Sequence, residues 1–128
     1  MTMDLGAFLK ADVGKGDITT ELTVPDTDGT AYITCEADAV VAGLEEAADV
    51  FSLVGADATA LVKDGDRVKA GARIMSISGP LSGMITAERT ALNILMNMSG
   101  VATKTAEAVE KADGKIIVAA TRKTVPGF

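Results

Sequence analysis

"ATALVKDGDRVKAGARIMSISG" (residues 58–79) decides the fold of this sequence. Two β-prone runs flank Asp64-Gly65, a dipeptide that accepts the positive φ angles of a tight turn, so the spacing predicts strand, turn, strand. Working upstream, "LEEAADVFSLVG" (residues 44–55) sets Leu44, Ala47, Ala48 and Phe51 at helical spacing and stops at Gly55. Before it, "TAYITCEADAVVAG" (residues 30–43) is β-rich. Downstream, "ITAERTALNILMNMSG" (residues 85–100) predicts a helix with Thr86 as N-cap and Glu88 in its first turn. "SGVATKTAEAVEKADG" (residues 99–114) predicts a second helix or a kinked extension, with Ser99 recapping and Gly114 terminating. At the start, "MTMDLGAFLKADVG" (residues 1–14) puts Leu5, Phe8 and Leu9 on one helical face and ends at Gly14, and "GKGDITTEL" (residues 14–22) reads as a loop. The closing "KIIVAATRKTVPGF" (residues 115–128) reads as an apolar strand over residues 116–120 that runs into Thr121-Arg122-Lys123-Thr124. No repeat, linker or low-complexity segment interrupts this α+β order.

Composition bounds the function. The 128 residues suit one ordinary domain. The chain is 48% hydrophobic but only 3% aromatic, so the core is expected to be built from Val, Ile, Leu, Ala and Met. Twelve Lys and Arg stand against 18 Asp and Glu, a net charge of −6. That balance argues against nucleic acid as a partner, and any anion site has to be a local basic island. Cys35 is the only cysteine and there is no histidine. This excludes a disulfide framework, a cysteine-based metal site and the commonest general base. The first residues have neither a basic n-region nor a long apolar run, so neither a signal peptide nor a membrane span is expected, and the cytoplasm is the expected compartment.

Two basic spots carry the chemical question. Thr121, Arg122, Lys123 and Thr124 place two cations and two hydroxyls after an apolar strand. The C-terminal ends of strands are where α/β sheets hold their ligands. Basic residues also close strands merely by reaching solvent. Arg89 falls in the first turn of the predicted helix, where a cation opposes the macrodipole at a cost of about 0.3 kcal/mol or more. One reading pairs it with Glu88 at the surface. The other turns it toward an anion, across a subunit contact, since a guanidinium suits bidentate carboxylate recognition. Ala91, Leu92, Leu95, Met96 and Met98 form a broad apolar face, with the methionines as core or interface filler.

The V-x-x-G-D-x-V-x-x-G-x-x-I pattern of residues 62–74 resembles the hammerhead segment of biotinyl and lipoyl carrier domains, with Val68 and Ile74 pointing inward. Those carriers attach their cofactor to a lysine on an adjacent hairpin. No lysine occurs between Lys69 and Lys104, so the motif is expected to serve packing.

"GKGDITTEL", "VVAGLEEAADVF", "KDGDRVKAG", "TAERTALNILMNMSGVAT" and "ATRKTVPGF" follow one another in the order and spacing of quinolinate phosphoribosyltransferases. The resemblance covers almost the whole sequence. It implies an α/β-hammerhead-type N-terminal domain over residues 1–113, whose long helical segment leads into residues 114–128 as the first strand of a truncated α/β barrel. The implied reaction joins quinolinate to phosphoribosyl pyrophosphate, yielding nicotinate mononucleotide, CO₂ and pyrophosphate in NAD biosynthesis. The resemblance also implies that Arg89 reaches into a neighbouring subunit's site and that Thr121, Arg122 and Lys123 bind quinolinate. It assigns no catalytic residue in this stretch, and implies a homodimer or higher homo-oligomer. Mg²⁺ is implied as cofactor, with ligands expected beyond Phe128. By itself the 128-residue chain is expected to be inactive. Ala120 departs from the pattern, since many members carry an acid before the threonine. Two alternatives stand beside this reading: a related phosphoribosyltransferase-like protein of the molybdenum-operon type that acts on another small anion, and a non-catalytic oligomerisation fragment.

Overall fold

In the computed structural model, which describes residues 3–123, the chain runs α1 (Leu5–Val13), α2 (Ile18–Thr23), β1 (Asp28–Thr34), β2 (Ala39–Val40), α3 (Leu44–Ser52), β3 (Asp57–Ala60), β4 (Arg67–Val68), β5 (Arg73–Pro80) and α4 (Leu81–Ala112). β5 is the centre strand of a three-stranded sheet and lies antiparallel to β1 on one side and β3 on the other. β2 and β4 form a separate two-stranded ladder. α3 and α4 pack on each other, and α1 rests against both. Phe51, Met75, Val41 and Val50 are the largest wholly buried side chains, so the core is aliphatic around one phenyl ring. Val68 and Ile74 point into it, as their spacing predicts.

Asp64-Gly65 does turn the chain, with Gly65 at φ +92°, but it does not join two paired strands. β3 before it pairs with β5, and β4 after it pairs with β2. The Asp64 carboxylate takes a second task. It accepts from the backbone N–H groups of Gly43 and Leu44, at 3.0 and 3.2 Å. Gly43 precedes α3 and has no side chain to cap it, so Asp64 satisfies the orphan donors from outside the helix.

α4 corrects three sequence expectations. It begins at Leu81, so Thr86 lies inside the helix and is not its N-cap, and Arg89 stands beyond the first turn. It runs unbroken to Ala112, so Ser99 recaps nothing. The Ser99 hydroxyl instead accepts from Ala42 N at 3.0 Å and donates to Ala42 O at 3.2 Å. Four residues on, the Thr103 hydroxyl accepts from Val40 N at 2.9 Å. Four helical residues rise about 6 Å. Two extended residues span about 6.6 Å. The near match lets α4 serve as a second neighbour for the β2 segment and close its free edge.

Two further expectations fail. Residues 14–22 are not all loop, because Asp17 caps a short helix, α2. Residues 116–120 form no strand: Ile116 and Ile117 are 70% and 95% exposed, outside any regular element. An apolar run makes a strand only when neighbouring strands supply its hydrogen bonds, and no described strand lies beside it. Met96 is 62% exposed and is not core filler, whereas Met98 packs against the core.

Candidate functional site

A cleft of about 370 Å³ opens where the end of α1, the turn into α2 and the second and third turns of α4 converge. Asp12, Asp17, Thr19, Thr20, Thr86, Glu88 and Arg89 supply its polar side chains, three acids against one cation. Gly14 ends α1 at φ +63°, and Gly16 continues the reversal at φ +143°; both angles suit glycine, and they bring Asp17 back toward α4.

Arg89 resolves against the pairing with Glu88. Its Nε donates to Asp12 Oδ1 at 2.7 Å and its Nη2 to the Asp12 backbone carbonyl at 3.4 Å. The Arg89 side chain is nevertheless 70% exposed, against 24% for Asp12. The pair is thus an anchored acid carrying a cation that faces outward.

Asp17 lies on the other side of the cleft. Its carboxylate accepts from Thr20 N at 3.2 Å, from the Thr20 hydroxyl by a short contact, and from the Thr86 hydroxyl at 3.2 Å. The Thr20 hydroxyl first, then the Thr20 amide, Thr86 and the charge of Arg89 hold the Asp17 carboxyl below its ordinary range, while partial desolvation opposes them. A depressed carboxyl contributes stability above its unfolded pKa and loses it as pH falls through the folded value. Asp17→Asn keeps an N-cap oxygen but no titrating charge. It is expected to flatten the acid limb of a Tm-versus-pH curve below about pH 4. Superimposable limbs for the two proteins refute the assignment.

Thr121, Arg122 and Lys123 are exposed in the segment after α4 and do not line the Arg89 cleft. Arg122 has a left-handed backbone, φ +58°. The structure therefore does not bring the two basic spots together within one chain's cleft. Thr124 lies outside the described residues. A second groove, between β1 and α4, shares Ile85 and Glu88 with the cleft but is mainly apolar and lined by no cation. Sequence reasoning missed Asp12 and Thr86. The signal for Asp12 was present: an acid in the last turn of a helix opposes the macrodipole and calls for a cation from elsewhere.

Among the described residues no group of three His, Cys, Asp or Glu side chains is placed to hold a metal ion. Of the three acids that line the cleft, Asp12 is engaged by Arg89 and Asp17 by two threonines, which leaves Glu88 as a single further carboxylate. This donor set does not fit Mg²⁺. Among the described residues no helix is long and apolar enough to cross a membrane.

The family model described as quinolinate phosphoribosyl transferase, N-terminal domain, matches residues 17–99. A protein of Archaeoglobus fulgidus named as a probable nicotinate-nucleotide pyrophosphorylase (carboxylating) is 40% identical over 116 residues, covering 88% of this chain and 44% of the relative. The nicotinate-nucleotide pyrophosphorylase (carboxylating) of Mycobacterium leprae is 38% identical over 118 residues, covering 88% of this chain and 42% of its own. Among solved structures, the nicotinate-nucleotide pyrophosphorylase from Francisella tularensis superposes with a TM-score of 0.90 at 35% identity, over 97% of this chain and 46% of that one. The chain spans less than half the length of these relatives. The matched segment takes in the Asp17 turn, the sheet and the Arg89 stretch of α4, and on that match the chain belongs to the quinolinate phosphoribosyl transferase family, as its N-terminal domain.

Proposed function

We propose that this chain supplies the N-terminal part of a cytoplasmic, homo-oligomeric quinolinate phosphoribosyltransferase. In that reaction the pyridine nitrogen bonds to the ribose carbon of phosphoribosyl pyrophosphate as pyrophosphate leaves. The bond to the adjacent carboxyl group then breaks with loss of CO₂, and the ring carbon takes a proton. The observation that carries the reading is Arg89, held by Asp12 through Nε and Nη2 while its side chain is 70% exposed. Quinolinate bears two carboxylates, and an outward guanidinium matches one of them. Binding that orients the ring nitrogen lowers the barrier through positioning, with no nucleophilic side chain required.

The remaining parts of the reading follow from the same layout. The β2–β4 ladder and the Asp64-Gly65 turn that leads into β4 support a hammerhead-type domain. Asp113 and Gly114, both left-handed, end α4 and support a boundary near residue 113. Residues 114–128 then become the first barrel strand once neighbouring strands pair with them, carrying Thr121, Arg122 and Lys123 to the substrate. The described residues do not fit Mg²⁺, and no step is assigned to it.

The test joins residues 1–128 of this chain to the C-terminal portion of the Archaeoglobus relative. That enzyme is expected to form nicotinate mononucleotide from quinolinate and phosphoribosyl pyrophosphate, while the 128-residue chain by itself forms none. A folded joined protein that leaves quinolinate unchanged overturns the reading in favour of a relative acting on another anion. Turnover by the 128-residue chain overturns the division of the site.

A further inference from the structure

We infer that Asp12 is a positioning residue for quinolinate binding: it clamps one edge of the Arg89 guanidinium so that the opposite edge is presented to a substrate carboxylate. The inference rests on the proposed role of Arg89. Asp12 uses Nε and Nη2, which lie on one side of the planar guanidinium. The edge formed by Nη1 and the second Nη2 hydrogen stays available as a bidentate fork. The exposure is asymmetric in the required sense, with the acid three-quarters covered and the cation mostly open. Asp17, a second cleft acid, has its oxygens committed to Thr20 and Thr86, and Arg89 bonds to Asp12 rather than to its sequence neighbour Glu88, which also lines the cleft.

Placement of Asp12 makes sense only with its partner. It is the last residue but one of α1, where a carboxylate opposes the helix dipole. Its carbonyl is among those left without an intrahelical partner at a helix C-terminus. Arg89 answers both, the carboxylate through Nε and the carbonyl through Nη2. The same contact removes rotamer freedom from a long side chain before substrate arrives, and that is the advantage of a preorganised binding group.

Two measurements test this. In the 128-residue chain, the Arg89 Nε–H signal, identified by its loss in Arg89→Lys, is expected to exchange with solvent about tenfold faster in Asp12→Ala. In the joined enzyme, Asp12→Ala is expected to raise KM for quinolinate by about tenfold to a hundredfold while kcat changes far less. Asp12→Asn, which keeps one oxygen acceptor and the backbone carbonyl, is expected to recover part of that loss. An unchanged KM in a folded Asp12→Ala enzyme overturns the inference. So does a lowered KM, which would make Asp12 a competitor that substrate has to displace. Unchanged Nε–H exchange overturns it without reference to turnover. If the joined enzyme is inactive with Asp12 and Arg89 both intact, the functional reading fails first, and the exchange rate alone decides whether Asp12 fixes the guanidinium.

Discussion

Joined subunits carrying Arg89→Ala, mixed with joined subunits carrying Arg122→Ala, are expected to regain activity that neither homo-oligomer has. The proposed cross-subunit site draws Arg89 from one subunit and Arg122 from the other. Each single variant then loses one charged contact to a carboxylate, roughly 1.5–3 kcal/mol, and more where the carboxylate is left buried and unpaired. In a mixed dimer one site carries both defects and the other carries none, so recovery approaches half of wild type per heterodimer. The layout of the chain supports this division. From Arg89 to Ala112 the uninterrupted α4 carries the backbone about 35 Å away. Thr121, Arg122 and Lys123 follow that helix and are absent from the lining of the Arg89 cleft. In the proposed oligomer a second copy would supply the other basic spot without either chain folding back on itself. Absence of recovery, with subunit exchange confirmed by mass spectrometry, removes the cross-subunit role and leaves Arg89 as the partner of Asp12 alone.

How much of this was legible in the sequence depends on where each residue spends its hydrogen bonds. Helical spacing located α1 and α3 because Leu5 and Leu9, or Leu44, Ala47 and Phe51, face the core directly. The continuity of α4 through residues 99–100 was misread because Ser and Gly usually punctuate helices, while its end at Gly114 was legible. Here Ser99 bonds to the β2 segment, and Gly83 is small for contact with the α3–β3 turn, so neither interrupts the helix. The strand expected over residues 116–120 is absent from this chain for the opposite reason. Its composition is right, but a strand is defined by partners that no local pattern encodes. At the site, the residue type of Arg89 was legible and its partner was not. Asp12 lies 77 residues away in sequence, and only packing of α1 against α4 makes them neighbours.

Two glycines of the same helix are expected to respond to alanine with opposite signs. At Gly100, which is exposed, a Cβ would have no heavy atom within 4 Å. Gly100→Ala therefore gains only helix propensity and is expected to stabilise the 128-residue chain by about 0.5–1 kcal/mol. At Gly83 the same Cβ would lie 2.7 Å from the carbonyl oxygen of Val54. That oxygen cannot easily retreat. Val54, Gly55 and Ala56 are tied by their N–H groups to Phe51 and Ser52, each at 3.1 Å, and Gly55 is already at φ +79°. Gly79 presses the same turn from the other side, 2.8 Å from the Ala56 Cα by the same measure. Relief then requires the start of α4 to move away from α3, at an overpacking cost of about 1–3 kcal/mol that outweighs the propensity gain. A shift at Gly83 also reaches the site, since Arg89 lies less than two turns further along a rigid helix and has to meet Asp12 on a different element. Gly83→Ala is expected to lower Tm and to speed exchange of the Arg89 Nε–H, whereas Gly100→Ala raises Tm and leaves that signal unchanged. A Tm for Gly83→Ala at or above wild type would show that the Val54 turn yields, and that the seam between Gly79, Gly83 and residues 54–56 does not fix where α4 begins.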